Sequence, residues 1–139
     1  MAVGTAALPF ASRLAWAQTY PSRPVRIIVG FAPGGTSDIS ARLVGQWLSE
    51  RFGRQFVTEN RTGTAGNIAA EYVVNAAPDG YTLLVFASAA AVNATLYTNL
   101  NFNFIRDIAP VASILRVPNV ILVNPSFPPE TVPELIVYA

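Results

Sequence analysis

The chain has 139 residues, 52% of them hydrophobic and 12% charged, a length that suits one domain of about 100–200 residues and a composition too apolar for a disordered segment. Nine basic residues, all of them arginine, oppose eight acidic ones, and a net charge of +1 leaves no electrostatic footprint for nucleic acid. With no His and no Cys there is no disulfide, thiolate nucleophile, Cys/His zinc site or Ser-His-Asp triad, so any chemistry rests on Asp, Glu, Arg, Tyr and hydroxyls.

From Ala2 to Ala17 the residues are small and apolar, broken by Ser12 and Arg13 and ending in Ala15-Trp16-Ala17, a triplet that signal peptidase accepts. Residues 1–17 read as the remnant of an export signal cleaved after Ala17, without the basic residues that normally open one; the competing reading is a short apolar segment that is no signal. No membrane insertion is expected, because the apolar stretch after Tyr81 is interrupted by Ser88, Asn93 and Thr95.

Val25 to Val29 is a β-branched run of the kind buried on both faces of a parallel sheet. After the Pro33-Gly34-Gly35 break, Ile39, Leu43, Val44, Trp47 and Leu48 fall on one helical face, with Trp47 read as core and Gly53 as the left-handed residue that closes the helix. Gln55 to Glu59 predicts a second strand and Asn60 to Gly66 a loop. Asn67 to Ala77 predicts a second helix, with Ile68, Ala69, Tyr72, Val73 and Ala76 inward. Pro78-Asp79-Gly80 is a turn, and Tyr81 to Ala87 predicts a third strand. Two crossover units in succession imply a three-layer α/β/α architecture on a mostly parallel sheet.

Farther on, Asn93 to Tyr97 reads as a short helix, and Val111 to Leu115 and Val120 to Val123 as two more strands. A linker begins near Asn124-Pro125. Thr131 is placed to cap a final helix with Pro133 and Glu134 in its first turn, and the sequence ends less than two turns later. That spacing reads as a chain cut inside an element.

Ligands of open parallel sheets sit beyond the carboxyl ends of the strands, which directs attention to residues 30–38, 60–66 and 88–93. In the first loop Gly34 and Gly35 allow close backbone approach, and Thr36-Ser37-Asp38 opens a helix whose free N–H groups attract a small anion, most simply a carboxylate. Walker A and dinucleotide spacings are absent. The alternative is structural, with Pro33-Gly34-Gly35 a plain turn and Ser37 or Asp38 a helix cap. By spacing alone Asn67 reads as an N-cap and Ser88 as a loop hydroxyl, while Phe31 suits either the core or a pocket wall. The acidic residues form no sequence cluster for a metal, so neither metal nor cofactor is expected.

Several blocks occur in an order that resembles one known family. They are Tyr20-Pro-Ser-Arg-Pro-Val-Arg-Ile-Ile-Val, Phe31-Ala-Pro-Gly-Gly-Thr-Ser-Asp38, Glu59-Asn-Arg61, Gly66-Asn-Ile68 and Ala77-Pro-Asp-Gly-Tyr-Thr-Leu-Leu84. Arg106-Asp107, Ala109-Pro-Val111, Val117-Pro-Asn-Val120 and Asn124-Pro-Ser126 follow. The chain from Tyr20 onward resembles the exported solute receptors of tripartite tricarboxylate transporters, the Bug or TctC-like receptors.

The resemblance implies a type II periplasmic binding protein of two lobes, of which residues 18–123 would form an incomplete first lobe and residues 124–139 the crossover toward a largely missing second. It also implies a periplasmic, non-enzymatic function: capture of a small carboxylate and delivery to the transporter's membrane permease subunits. Carried over by position, the binding residues would be Phe31, Pro33, Gly34, Gly35, Thr36, Ser37 and Asp38, with Asn67, Ala87 and Ser88 from the other two loops. Thr62, and the Asn101-Phe-Asn-Phe104 run, depart from the family pattern in places expected to leave the site untouched. The alternatives are a truncated fragment of such a receptor that does not bind and, in another class, a small α/β enzyme using a carboxylate such as Asp38.

Overall fold

The β-branched run after Pro24 becomes the central strand of the molecule. A computed structural model of the chain describes residues 19–118 and 120–139; the predicted export signal and its cleavage point after Ala17 lie outside them. Strand β1 (Val25–Val29) lies between β2 (Phe56–Asn60) and β3 (Thr82–Val85), both parallel to it, in the order β2-β1-β3. With neighbours on both edges and layers on both faces, Val25, Ile27, Ile28 and Val29 are fully buried, as a continuous apolar strand requires.

Helix α1 (Thr36–Phe52) covers one face of the sheet and α2 (Asn67–Val74), entered through a 3₁₀ turn at Thr64–Gly66, covers the other. This is the expected three-layer α/β/α arrangement on a parallel sheet. Val25, Ile27, Val29, Ala41 and Phe56 form the core under α1, with Phe31, Leu48, Tyr81, Leu83 and Val85 packed at its border. Gly53 closes α1 in the left-handed conformation, φ 64°, its N–H bonded to the Ser49 carbonyl.

The strap before β1 is fastened to the turn before β3. Tyr20 donates its hydroxyl to the Gly80 carbonyl, and Ser22 donates its N–H to the Tyr81 hydroxyl. Arg23 pairs with Asp79 at 2.8 Å and lies over the Tyr81 ring. These contacts account for two of the sequence blocks as halves of one packing unit.

Three expectations are corrected. The α1 face that meets the sheet consists of Asp38, Ala41, Gly45 and part of Leu48, whereas Ile39, Leu43 and Trp47 point outward and Trp47 is 57% exposed. Small residues win that face because the helix lies too close for large ones: a Cβ on Gly45 would stand 3.1 Å from the Phe56 carbonyl oxygen and 3.2 Å from Ile27 Cδ1. On α2, similarly, Ala69 and Ala70 are buried and Ile68 is exposed. Residues 111–115 and 120–123 form no strands; they run exposed without ladder partners among the described residues, and β-propensity without a partner edge yields no strand.

The short helix expected at Asn93 to Tyr97 is α3 (Ala89–Leu96) and starts earlier. The final helix, α4 (Val132–Tyr138), has Thr131 as its N-cap, accepting from the Glu134 N–H, with proline in its first turn. Among the described residues no helix is long and apolar enough to cross a membrane.

Candidate functional site

The parallel topology gathers the loops after β1, β2 and β3 at the carboxyl edge of the sheet, and their backbones and rings interlock. A Cβ on Gly30 would stand 2.8 Å from Gly66 Cα, and one on Gly66, at φ 90°, would stand 2.8 Å from the Phe86 ring. Phe31 packs against Phe86 with ring centroids 5.7 Å apart, and Phe86 packs against Phe104 at 5.4 Å. Phe31 therefore belongs to the border of the core and to this aromatic row at once. The Asn101-Phe-Asn-Phe104 run joins this aromatic row through Phe104.

In the first loop, Gly34 takes the left-handed conformation at φ 83°, which glycine tolerates at no steric cost, and Gly35 is the extended N-cap of α1. Nothing lies within 4 Å of where a Gly34 Cβ would be, and only the Ala32 carbonyl oxygen approaches one on Gly35, at 3.4 Å. Pro33, Gly34, Gly35 and Thr36 are exposed, and Ser37 is half-buried. The first-turn N–H groups of α1 have no carbonyl four residues back within the helix, so a pre-aligned donor set faces outward beside an open glycine surface.

Asp38 is only 2% exposed and holds this loop in place. Its carboxylate accepts from the Gly34 N–H at 2.9 Å, from Arg42 Nε at 3.0 Å and from Asn60 Nδ2 at 2.9 Å, and Arg42 Nη2 stands 2.9 Å from its Oδ1 as an ion pair. Asn60, the last residue of β2, also donates to the Phe31 carbonyl and accepts from Arg42 Nη2, both at 3.0 Å. The hydrogen bonds from Arg42, then Gly34, then Asn60, hold the Asp38 carboxyl well below the usual carboxylate range. Neither Ser37 nor Asp38 is the N-cap; Asp38 sits in the first turn and reaches back to the residue before the cap.

Asn67 is likewise not an N-cap, a position taken by Gly66, but the first residue of α2. Its side chain turns inward, 5% exposed, and accepts from Asn93 Nδ2 at 2.7 Å. Asn93, 2% exposed, donates also to the Ala65 carbonyl at 3.0 Å, and Asn67 Nδ2 is a buried donor without a partner among the described residues. Ala87 and Ser88 are exposed at the start of α3, where their carbonyls accept from the N–H groups of Ala90 and Ala91. Spacing alone missed Arg42, Asn60, Phe86, Asn93 and Phe104. The Glu59-Asn-Arg61 block was the available pointer to Asn60, whereas Asn93 carries no local signal. Among the described residues no cluster of metal-ligating side chains occurs.

Comparison with known proteins matches residues 40–139 to the model of the tripartite tricarboxylate transporter family receptor. The chain is 39% identical over 137 residues to a UPF0065 protein of Bordetella pertussis, covering 98% of this chain and 42% of that protein. It is 37% identical over 122 residues to Protein BugT of the same organism, covering 86% of this chain and 37% of BugT. Among solved structures it is similar to Rpa4515 of R. palustris with adipate, with a TM-score of 0.68 and 41% identity over 86% of this chain and 40% of that one. MatC (Rpa3494) from Rhodopseudomonas palustris with bound malate gives a TM-score of 0.65 and 34% identity over 86% of this chain and 41% of its own. The chain thus spans about two fifths of the length of these relatives.

Proposed function

The chain belongs to the tripartite tricarboxylate transporter receptor family, and from that premise we propose that it binds a small carboxylate at the carboxyl edge of its sheet. The observation that carries this reading is the first turn of α1: outward N–H groups beside an unobstructed Gly34-Gly35 surface, in a loop held rigid by Asp38. A helix N-terminus supplies roughly half a positive charge and oriented donors, enough to hold an anion without a lysine. The contact set consists of Phe31, Pro33, Gly34, Gly35, Thr36 and Ser37, joined by Ala87 and Ser88 from the facing loop, while Asn67, turned inward to Asn93, supports the second loop from within. Asp38 acts from behind as the anchor.

The ligand class is a small di- or tricarboxylate, in keeping with the adipate and malate of the two similar structures. The location is periplasmic and the partner is the membrane permease of such a transporter, to which the receptor presents its ligand. Binding rather than catalysis is the function, because the one buried carboxylate among the described residues, Asp38, carries donors on both oxygens and is held ionised, which unfits it for proton transfer.

Thermal unfolding of the 139-residue chain with a panel of mono-, di- and tricarboxylates tests this. A cognate acid at about 100 times its Kd stabilises by about 2.7 kcal/mol. Unchanged melting with every acid at millimolar concentration would refute the reading.

A further inference from the structure

Asp38 presents an electrostatic problem for any anion site at the start of α1. A helix N-terminus carries roughly +0.5 elementary charge, and a full negative charge within its first turn would reverse the sign of the field there. The position is needed for its hydrogen-bond acceptance, which holds the Gly34 N–H and, through Asn60, the end of β2, whereas its charge is not.

Arg42 resolves the conflict. Its guanidinium lies one turn along the same helix, 52% exposed at the side chain, and reaches the 3% exposed Asp38 side chain with two nitrogens. The other groups around Asp38 are the Gly34 N–H from the loop and the Asn60 amide from β2, both uncharged, so Arg42 is its charged partner among the described residues. Asn60 accepts from Arg42 Nη2 while donating to Asp38, which leaves its amide one satisfactory orientation and pins the guanidinium on the carboxylate.

Building on the carboxylate reading above, we infer that Arg42 is a positioning residue of the binding site whose charge cancels that of Asp38, leaving the first turn of α1 net positive toward the ligand. It does so without touching the ligand. Its own exposure would ordinarily make such an ion pair nearly neutral for stability; its effect is on the field at the site.

Titration of the 139-residue chain with adipate at low ionic strength, by calorimetry at about pH 7, tests this. Arg42→Gln weakens adipate binding about tenfold, the order expected for one unscreened charge a helical turn away, and the loss shrinks at about 0.5 M salt. Arg42→Lys keeps binding within about threefold, because charge rather than fork geometry is required. Asp38→Asn combined with Arg42→Gln recovers most of the loss. A purely structural role predicts the opposite: a salt-independent loss, no recovery in the double variant, and a loss in Arg42→Lys as large as in Arg42→Gln. Any of these overturns the inference while leaving the site in place. Should Arg42→Gln not fold, the Arg42→Lys variant alone decides, since a loss of about tenfold there contradicts charge cancellation. If the unsubstituted chain binds none of the mono-, di- and tricarboxylates of the panel, the carboxylate reading falls and takes this inference with it.

Discussion

Asn67 and Asn93 are joined by a 2.7 Å hydrogen bond between two buried amides, and the second Asn93 donor bond goes to the Ala65 carbonyl. This contact ties the start of α2 to α3. Asn93→Leu leaves the buried Asn67 Oδ1 unpaired, at about 1–3 kcal/mol. Urea unfolding should show that loss, and a neutral result would mean that water reaches Asn67 freely.

Gly66 and Gly53 both have positive φ, 90° and 64°, but different surroundings. Nothing lies near a Cβ on Gly53, whereas one on Gly66 would meet the Phe86 ring at 2.8 Å. Gly53→Ala should therefore cost about 1 kcal/mol, from backbone conformation alone. Gly66→Ala should cost about 3 kcal/mol, because overpacking adds to the backbone term. Equal midpoints for the two variants would contradict the interlocking of the loops.

Gly35→Val separates binding from folding. Gly35 is extended, φ −76° and ψ 167°, and its Cβ position meets only the Ala32 carbonyl oxygen at 3.4 Å. The variant should fold with a loss of about 1 kcal/mol or less, the cost of a poorer N-cap, yet lose carboxylate-induced stabilisation because the isopropyl group fills the anion's place. An unchanged thermal shift with adipate would move the site elsewhere.

The pH dependence follows from the carboxylates. Asp38 is held low first by Arg42, Glu59 first by Arg26, and Asp79 first by the Tyr81 N–H; Asp107 is lowered to about 2, first by Arg106. A depressed carboxyl pKa means that the unfolded chain binds more protons as pH falls, so stability is present above the unfolded values near about pH 4 and is lost progressively from about pH 5 downward. With no histidine or cysteine to titrate, urea midpoints should be flat from about pH 6 to 8. Asp38→Asn should shallow the acid slope. An acid limb identical to that of the unsubstituted chain would show that Asp38 is not so held.

Local pattern carried much of the fold. The β-branched run at Val25 to Val29, the glycine at 53 and the Thr131 cap each specify a backbone conformation through residues a few positions apart, and each forms as the sequence predicts. The Gly34-Gly35 turn and the helix start after it were legible for the same reason.

What local pattern could not carry is which neighbour each face meets. The stripe of Ile39, Leu43 and Trp47 is a proper helical face, but the sheet accepts the small-residue side of α1, because Gly45 permits an approach that a larger side chain forbids. Residues 111–115 and 120–123 have the composition of strands and find no edge to join among the described residues. At the site, Asp38 meets Asn60 across 22 residues and Asn67 meets Asn93 across 26. The sequence by itself determined the architecture and the Gly34-Gly35 turn with the helix start after it, since both depend on short-range periodicity and backbone freedom. Only the tertiary structure decided that Asp38 meets Asn60 and that Asn93 holds Asn67, because hydrogen bonds between distant segments exist only once the sheet has brought those segments together.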